Sequence, residues 1–136
     1  MVIKITLPIP PSVNGYWRTF RSRQIISKRG REYREQVRKI LEAAGYTSPF
    51  SCRLAVTITY HFGDLRRRDL DNYTKSLLDA CAATTLQSAA ADSDGTGRTV
   101  GLFLDDSQID TLLLTRASID RENPRAVVEL FPIEDR

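Results

Sequence analysis

Cysteine and histidine are scarce in this chain, with two of the first and one of the second among 136 residues. Cys52 and Cys81 share no CxxC spacing, so the sequence indicates neither a disulfide framework nor a zinc site. His61 falls on the polar side of a strand-like alternation and reads as an ordinary solvent-facing residue, not a base or a ligand. Long apolar runs are missing too, since none approaches the ~20 residues that a membrane-crossing helix needs. The chain opens on a strand-like run and not on a charged, then apolar, leader. A soluble cytoplasmic protein with no membrane partner is therefore expected. There is no glycine-rich phosphate loop and no internal repeat, and the length suits one domain, taken as residues 1–136. A large substrate must then be met on a surface or across a dimer.

Lys and Arg number 20 against 17 Asp and Glu, a formal net charge of +3, which by itself leans only weakly toward polyanionic partners. The arrangement says more. Arg18, Arg21, Arg23, Lys28, Arg29, Arg31, Arg34, Arg38 and Lys39 stand in one stretch opposed only by Glu32 and Glu35. A solvated helix face with a flexible arm would explain such a block; phosphate binding is the sharper reading.

The periodicities give an α+β fold, a small mixed β-sheet with two helices packed on it in the order β-α-β-α-β-β. Val2 to Leu7 alternates and stops at Pro8, Pro10 and Pro11, which cannot extend a central ladder. Pro11 to Gly15 reads as a turn. Tyr16, Trp17 and Phe20 follow, interleaved with Arg18, Arg21 and Arg23 in a mobile loop able to stack on bases and pair with phosphates. Ser27 is the expected N-cap of a helix to about Ala44, with Tyr33, Val37, Ile40 and Leu41 on one face and Gly45 at the stop. Arg53 to Phe62 alternates as a half-buried strand, and Leu77, Leu78 and Cys81 mark a second helix. Thr84 to Thr99 has no period and is expected as a long flexible insertion; its Asp92-Ser93-Asp94-Gly95 lacks the downstream glutamate of a calcium loop. Ile109 to Ser118 and Arg125 to Phe131 supply the last two strands, joined by a turn at Asn123-Pro124.

The strongest local signal is Arg66-Arg67-Arg68-Asp69-Leu70-Asp71-Asn72, with Lys75 close behind. Two aspartates separated by one residue lie about 200° apart within a helix and cannot share a face there. They can converge if Asp69 is still extended and Asp71 is the N-cap, which sets Lys75 one turn above. Plain helix capping and pairing with the neighbouring arginines would account for an isolated pair of this kind. A hard cation such as Mg²⁺ prefers carboxylate oxygens and wants a third anionic ligand. Asp105 and Asp106 can donate one, on a turn pinned to the core by Leu102-Phe103-Leu104. Three convergent carboxylates around a metal suit phosphodiester hydrolysis, with Lys75 stabilising developing charge. Arg66, Arg67 and Arg68 would hold the phosphate backbone and offset the repulsion between an anionic site and an anionic substrate.

The chain resembles the RusA-like Holliday junction resolvases, crossover junction endodeoxyribonucleases of bacteria and their phages. The likeness is carried by Ile5 to Asn14, by Arg66 to Asn72 with Lys75, and by Leu104-Asp105-Asp106-Ser107-Gln108-Ile109. It implies a homodimer with two active sites, Mg²⁺-dependent symmetrical nicking of four-way junction DNA in recombination and repair, catalytic and metal-binding Asp69, Asp71 and Asp106, and an essential Lys75. Arg66, Arg67, Arg68, Arg18, Arg21 and Arg23 are the expected DNA contacts. The long segment 84–99 departs from the family's short link, and the pair Asp105 and Asp106 leaves register open by one residue; Asp106 is taken as the ligand. Two other classes compete. One is a branched-DNA-binding protein without catalysis, and the other a transferase holding a nucleotide diphosphate, which the lack of a phosphate loop disfavours.

Overall fold

The computed structural model describes residues 2–86 and 98–133. Its frame is a four-stranded mixed sheet ordered β1-β8-β4-β7, formed by β1 (Ile3–Leu7), β4 (Arg53–His61), β7 (Ile109–Arg116) and β8 (Arg125–Ile133). β4 runs through the middle, antiparallel to β8 and parallel to β7. Strict alternation along β4 buries Leu54, Val56, Ile58 and Tyr60 on one face and leaves Ala55, Thr57, Thr59 and His61 half-buried on the other. His61 does lie on the polar face, with Nδ1 2.9 Å from the carbonyl of Ser118.

Two long helices, α2 (Lys28–Ala43) and α3 (Asp71–Cys81), bring Tyr33, Val37 and Leu41, and Leu77, Leu78 and Cys81, into one core with that face of the sheet. Each fully buried leucine here contributes on the order of 1.5–3 kcal/mol over leaving it in water. Ser27 caps α2 as its sequence indicates, its hydroxyl accepting from the amide of Gly30 at 3.0 Å. Gly45 takes the left-handed conformation past the helix end, with φ of +86°. Burial pushes the Cys81 thiol up to about 12, which keeps it protonated.

The expected α+β frame is therefore present, with three additions. A third, short helix, α1 (Val13–Tyr16), follows the proline turn. The segment expected as a mobile loop is instead a hairpin of β2 (Trp17–Phe20) and β3 (Arg23–Ile26). Gly30 shows why α1 sits so near α2: a β-carbon there would lie 2.5 Å from the carbonyl oxygen of Tyr16. Lastly, the ends of the expected insertion pair as β5 (Thr84–Leu86) with β6 (Arg98–Val100). Residues 87–97, including the Asp92 to Gly95 stretch, lie outside the described residues. Among the described residues no helix is long and apolar enough to cross a membrane.

Candidate active site

Asp69 and Asp71 stand at the mouth of α3, and Asp106 opens a single 3₁₀ turn, Asp106–Gln108, that leads into β7. The loop before α3 is held by Arg68. Its guanidinium pairs with Asp64 at 2.8 Å and lies 4.8 Å from the centre of the Phe62 ring, and its carbonyl accepts from Arg116. Hydrogen bonding from Arg68 holds the Asp64 carboxyl below the usual carboxylate range. Of the three arginines expected to face DNA, Arg68 is thus turned onto the protein, its side chain only 13% exposed, while Arg66 and Arg67 are exposed.

The start of α3 is fixed from inside. Thr74, buried on the first turns, donates to the carbonyl of Leu70 at 2.9 Å and shares a 2.8 Å hydrogen bond with the hydroxyl of Tyr60 on β4. Tyr73 packs edge-on against Phe62. These contacts pin the helix mouth to the sheet. Asp71 is not the N-cap, however. Leu70 occupies that place in helical conformation with no side-chain cap, and Asp71 is the first helical residue. The amide of Asn72 is satisfied by the main-chain carbonyl of Asp69 at 3.1 Å, so the helix starts on a backbone turn and leaves both carboxylates unused for capping.

Leu102 and Phe103 are each 1% exposed and tie the Asp106 turn to the core, as their apolar run suggests, whereas Leu104 is 55% exposed and takes no part. The amide of Leu102 donates to Cys81 at the end of α3, and the carbonyl of Phe103 accepts from Ala83. Asp105 caps the turn, its carboxylate accepting from the amide of Ser107 at 3.1 Å. Hydrogen bonding to Ser107 holds the Asp105 carboxyl below the usual range. A carboxyl lowered in the fold stabilises above the unfolded value and loses that contribution as pH falls through the lowered one, so the cap stays intact at neutral pH.

The buried Gln108 completes the turn. Its side-chain oxygen accepts from the amides of Leu104 at 2.8 Å and Asp105 at 2.9 Å, and its side-chain nitrogen donates to the carbonyls of Phe50 and Cys52, each at 2.8 Å. The sequence carried a signal for this residue: an aspartate followed three positions later by glutamine is a capping-box spacing.

Across the gap between the two elements, the Lys75 ammonium meets Asp106 Oδ2 at 3.1 Å. The structure thus joins Lys75 to Asp106, and it assigns Asp105 to capping, which leaves Asp106 the carboxylate of the pair that faces α3. It does not gather three metal ligands: among the described residues no group of three or more His, Cys, Asp or Glu side chains is close enough to hold a metal ion. The donor chemistry still suits a hard cation, since the three sequence-predicted ligands are carboxylates and Asp106 already accepts a cation in the form of the Lys75 ammonium. Arg18, Arg21 and Arg23 are exposed on the β2–β3 hairpin. Ser12, Asn14, Arg67, Asp69, Asn72 and Tyr73 line one open depression, which places the proline-turn motif beside the helix mouth.

A small α+β domain with exposed aspartates and a lysine at an arginine-flanked helix mouth belongs with proteins that handle phosphodiesters. The chain is more narrowly a member of the endodeoxyribonuclease RusA family, which it matches over residues 8–131. It is 36% identical over 105 residues to the crossover junction endodeoxyribonuclease RusA of Shigella sonnei, covering 77% of this chain and 74% of that one. The protein of that name from Escherichia coli K12 is 35% identical over the same shares. The one from Enterobacteria phage HK97 is 40% identical over 77 residues, 57% of this chain and 64% of the phage protein.

Proposed function

We propose that the chain is a Mg²⁺-dependent endodeoxyribonuclease that resolves four-way DNA junctions by paired symmetrical nicks, acting in the cytoplasm as a homodimer in recombination and repair. The carrying observation is Asp106, half-buried on a turn fixed by Gln108 and facing Lys75 across the mouth of α3. Two protomers, each with one such site, would supply one nick apiece. Two of its relatives are named crossover junction endodeoxyribonucleases, which supports the junction-cutting part of this reading.

In this reading Asp69, Asp71 and Asp106 are the residues that would hold a divalent cation with the scissile phosphate bound, and such a cation would supply Lewis-acid polarisation of the phosphoryl group and a more acidic water. Arg66 and Arg67 grip the phosphates on either side, offsetting the repulsion that three carboxylates exert on a polyanion. Lys75, whose ammonium stands 3.1 Å from Asp106 at the helix mouth, would stabilise the charge that develops on the leaving oxygen. Arg68 acts through the loop, by holding Asp69 and Asp71 against the sheet.

Cleavage of a synthetic four-way junction beside a linear duplex of the same sequence, with Mg²⁺ and with EDTA, tests the proposal. Paired nicks in the junction alone, abolished by EDTA, are expected. Junction binding without cutting under any divalent metal would instead make the chain a non-catalytic branched-DNA-binding protein.

The arginines separate by role. Replacing Arg66 and Arg67 together with alanine should leave thermal stability near that of the parent and weaken junction binding uniformly across sequences. The slope of log affinity against log salt should flatten by about 0.9 for each phosphate that is no longer neutralised. Arg68→Ala should lower stability as well, because it removes an ion pair and an aromatic contact that hold the loop.

A further inference from the structure

We propose that the β2–β3 hairpin is a finger that opens the crossover of bound DNA, Phe20 stacking on a base there while Arg18, Arg21 and Arg23 take the adjoining phosphates; this rests on the junction-binding reading above. Phe20 is 49% exposed, the one aromatic among the large apolar side chains left exposed in the described residues. It sits in the last strand pair before the turn, opposite Arg23. The guanidiniums of Arg18 and Arg21 lie 5.7 and 5.3 Å from the centre of its ring. Two cations at a lone exposed ring, with a third on the residue paired opposite it, would oppose docking against an apolar protein surface. They suit a ligand that offers flat π-faces and phosphates together, which is what an opened DNA strand offers.

The hairpin is built to hold that tip out rigidly. Its root is locked: Tyr16 is fully buried, the amide of Ser27 donates to its carbonyl at 2.8 Å, and Trp17 and Ile26 pair half-buried across the base. Its turn has Arg21 and Ser22 at φ of +50° and +62°, the only non-glycine residues in the left-handed region among those described. Both central residues of the tightest hairpin turn need that conformation, and its twist matches the strands. Arginine at such a position, where glycine or asparagine is the easy choice, keeps a cation beside the ring at some conformational cost. The root also borders the candidate site. Asn14 lines the depression that holds Asp69 and Arg67, and equally the one lined by Trp17, Arg18 and Gln24 at the base of the hairpin. A branch point is where stacking between base pairs is interrupted, so a base is displaced there most readily; apolar wedges use such steps.

Permanganate oxidation of thymines placed at the crossover, in junctions saturated with protein in EDTA, reads base opening without cutting. The parent protein should raise thymine reactivity at the crossover at least about fivefold over free junction and leave arm thymines unchanged. Phe20→Ala should return it to the free level, and Phe20→Trp should keep it. The parent should also bind a junction carrying two unpaired bases at the crossover more tightly than the fully paired one, since the opening is already made, and Phe20→Ala should lose that preference. No rise with the parent protein, an equal rise with Phe20→Ala, or equal weakening of Phe20→Ala on both junctions would overturn the finger. A rise that depends on Phe20 but is followed by no cutting in Mg²⁺ would uphold the finger and sink the nuclease reading alone.

Discussion

Replacing Asp71 with asparagine is expected to stop junction cleavage while leaving the junction complex intact. Loss of one carboxylate from the proposed metal set removes part of a contribution worth several kcal/mol at the transition state. At about 1.4 kcal/mol per factor of ten, the rate should fall on the order of a thousandfold. Affinity should hold or rise, because the change removes a negative charge that faces a polyanion, and the salt dependence should keep its slope since every cation that meets a phosphate is still in place. The loss can be separated from unfolding because Asp71 makes no cap hydrogen bond. All it gives the helix is a favourable charge in the first turn, about 0.3–1 kcal/mol at an exposed site. Thermal midpoints of the two proteins should therefore lie within a few degrees. Single-turnover cleavage and gel-shift titration on the same junction check both halves; normal cutting by Asp71→Asn would remove Asp71 from the site and with it the three-carboxylate arrangement.

Local periodicity made most of the frame legible in the sequence. Leu54 to Phe62 could only be a strand with one face inside, and Tyr33, Val37 and Leu41 could only be one face of a helix. What escaped was set by contacts between distant residues. The hairpin was hidden because Arg21-Ser22 carries none of the glycine or asparagine that marks such a turn, and its stability comes from Tyr16 and Ser27 on the elements beside it. The cap of α3 was misplaced by one residue because a backbone turn from Asp69, invisible to side-chain rules, does the work that an aspartate at the N-cap usually does. Arg68 looked like Arg66 and Arg67 in sequence, and only Phe62 and Asp64 tell it apart. The meeting of Lys75 with Asp106, 31 positions apart, depends on how the Leu102–Phe103 segment is tied to the end of α3, and nothing local encodes it.

Replacing Gln108 with leucine, a side chain of similar bulk, should be the most damaging single change outside the carboxylates and the lysine. One amide group serves four backbone partners from two chain segments, the amides of Leu104 and Asp105 and the carbonyls of Phe50 and Cys52. Leucine fills the space and satisfies none of them. At about 0.5–1.5 kcal/mol net for each bond, and more where a buried group finds no water, the cost should be roughly 2–5 kcal/mol. That is a large share of the ~5–15 kcal/mol that keeps a domain folded, and it should lower the thermal midpoint by on the order of 10 °C. The turn carrying Asp106 would also lose its anchor, so cleavage should fall about 10–100-fold even at temperatures where the protein stays folded, the range seen when partners of metal ligands are removed. Arg53→Ala supplies the contrast. Arg53 also reaches this turn, donating to the carbonyl of Ser107 at 2.8 Å and pairing with Asp110, but from the exposed side, where such contacts are worth about 0–1 kcal/mol. If Arg53→Ala and Gln108→Leu proved equally mild in melting and in cleavage rate, the carboxylate would be placed by something other than the buried glutamine, and Asp106 would not owe its position to this turn.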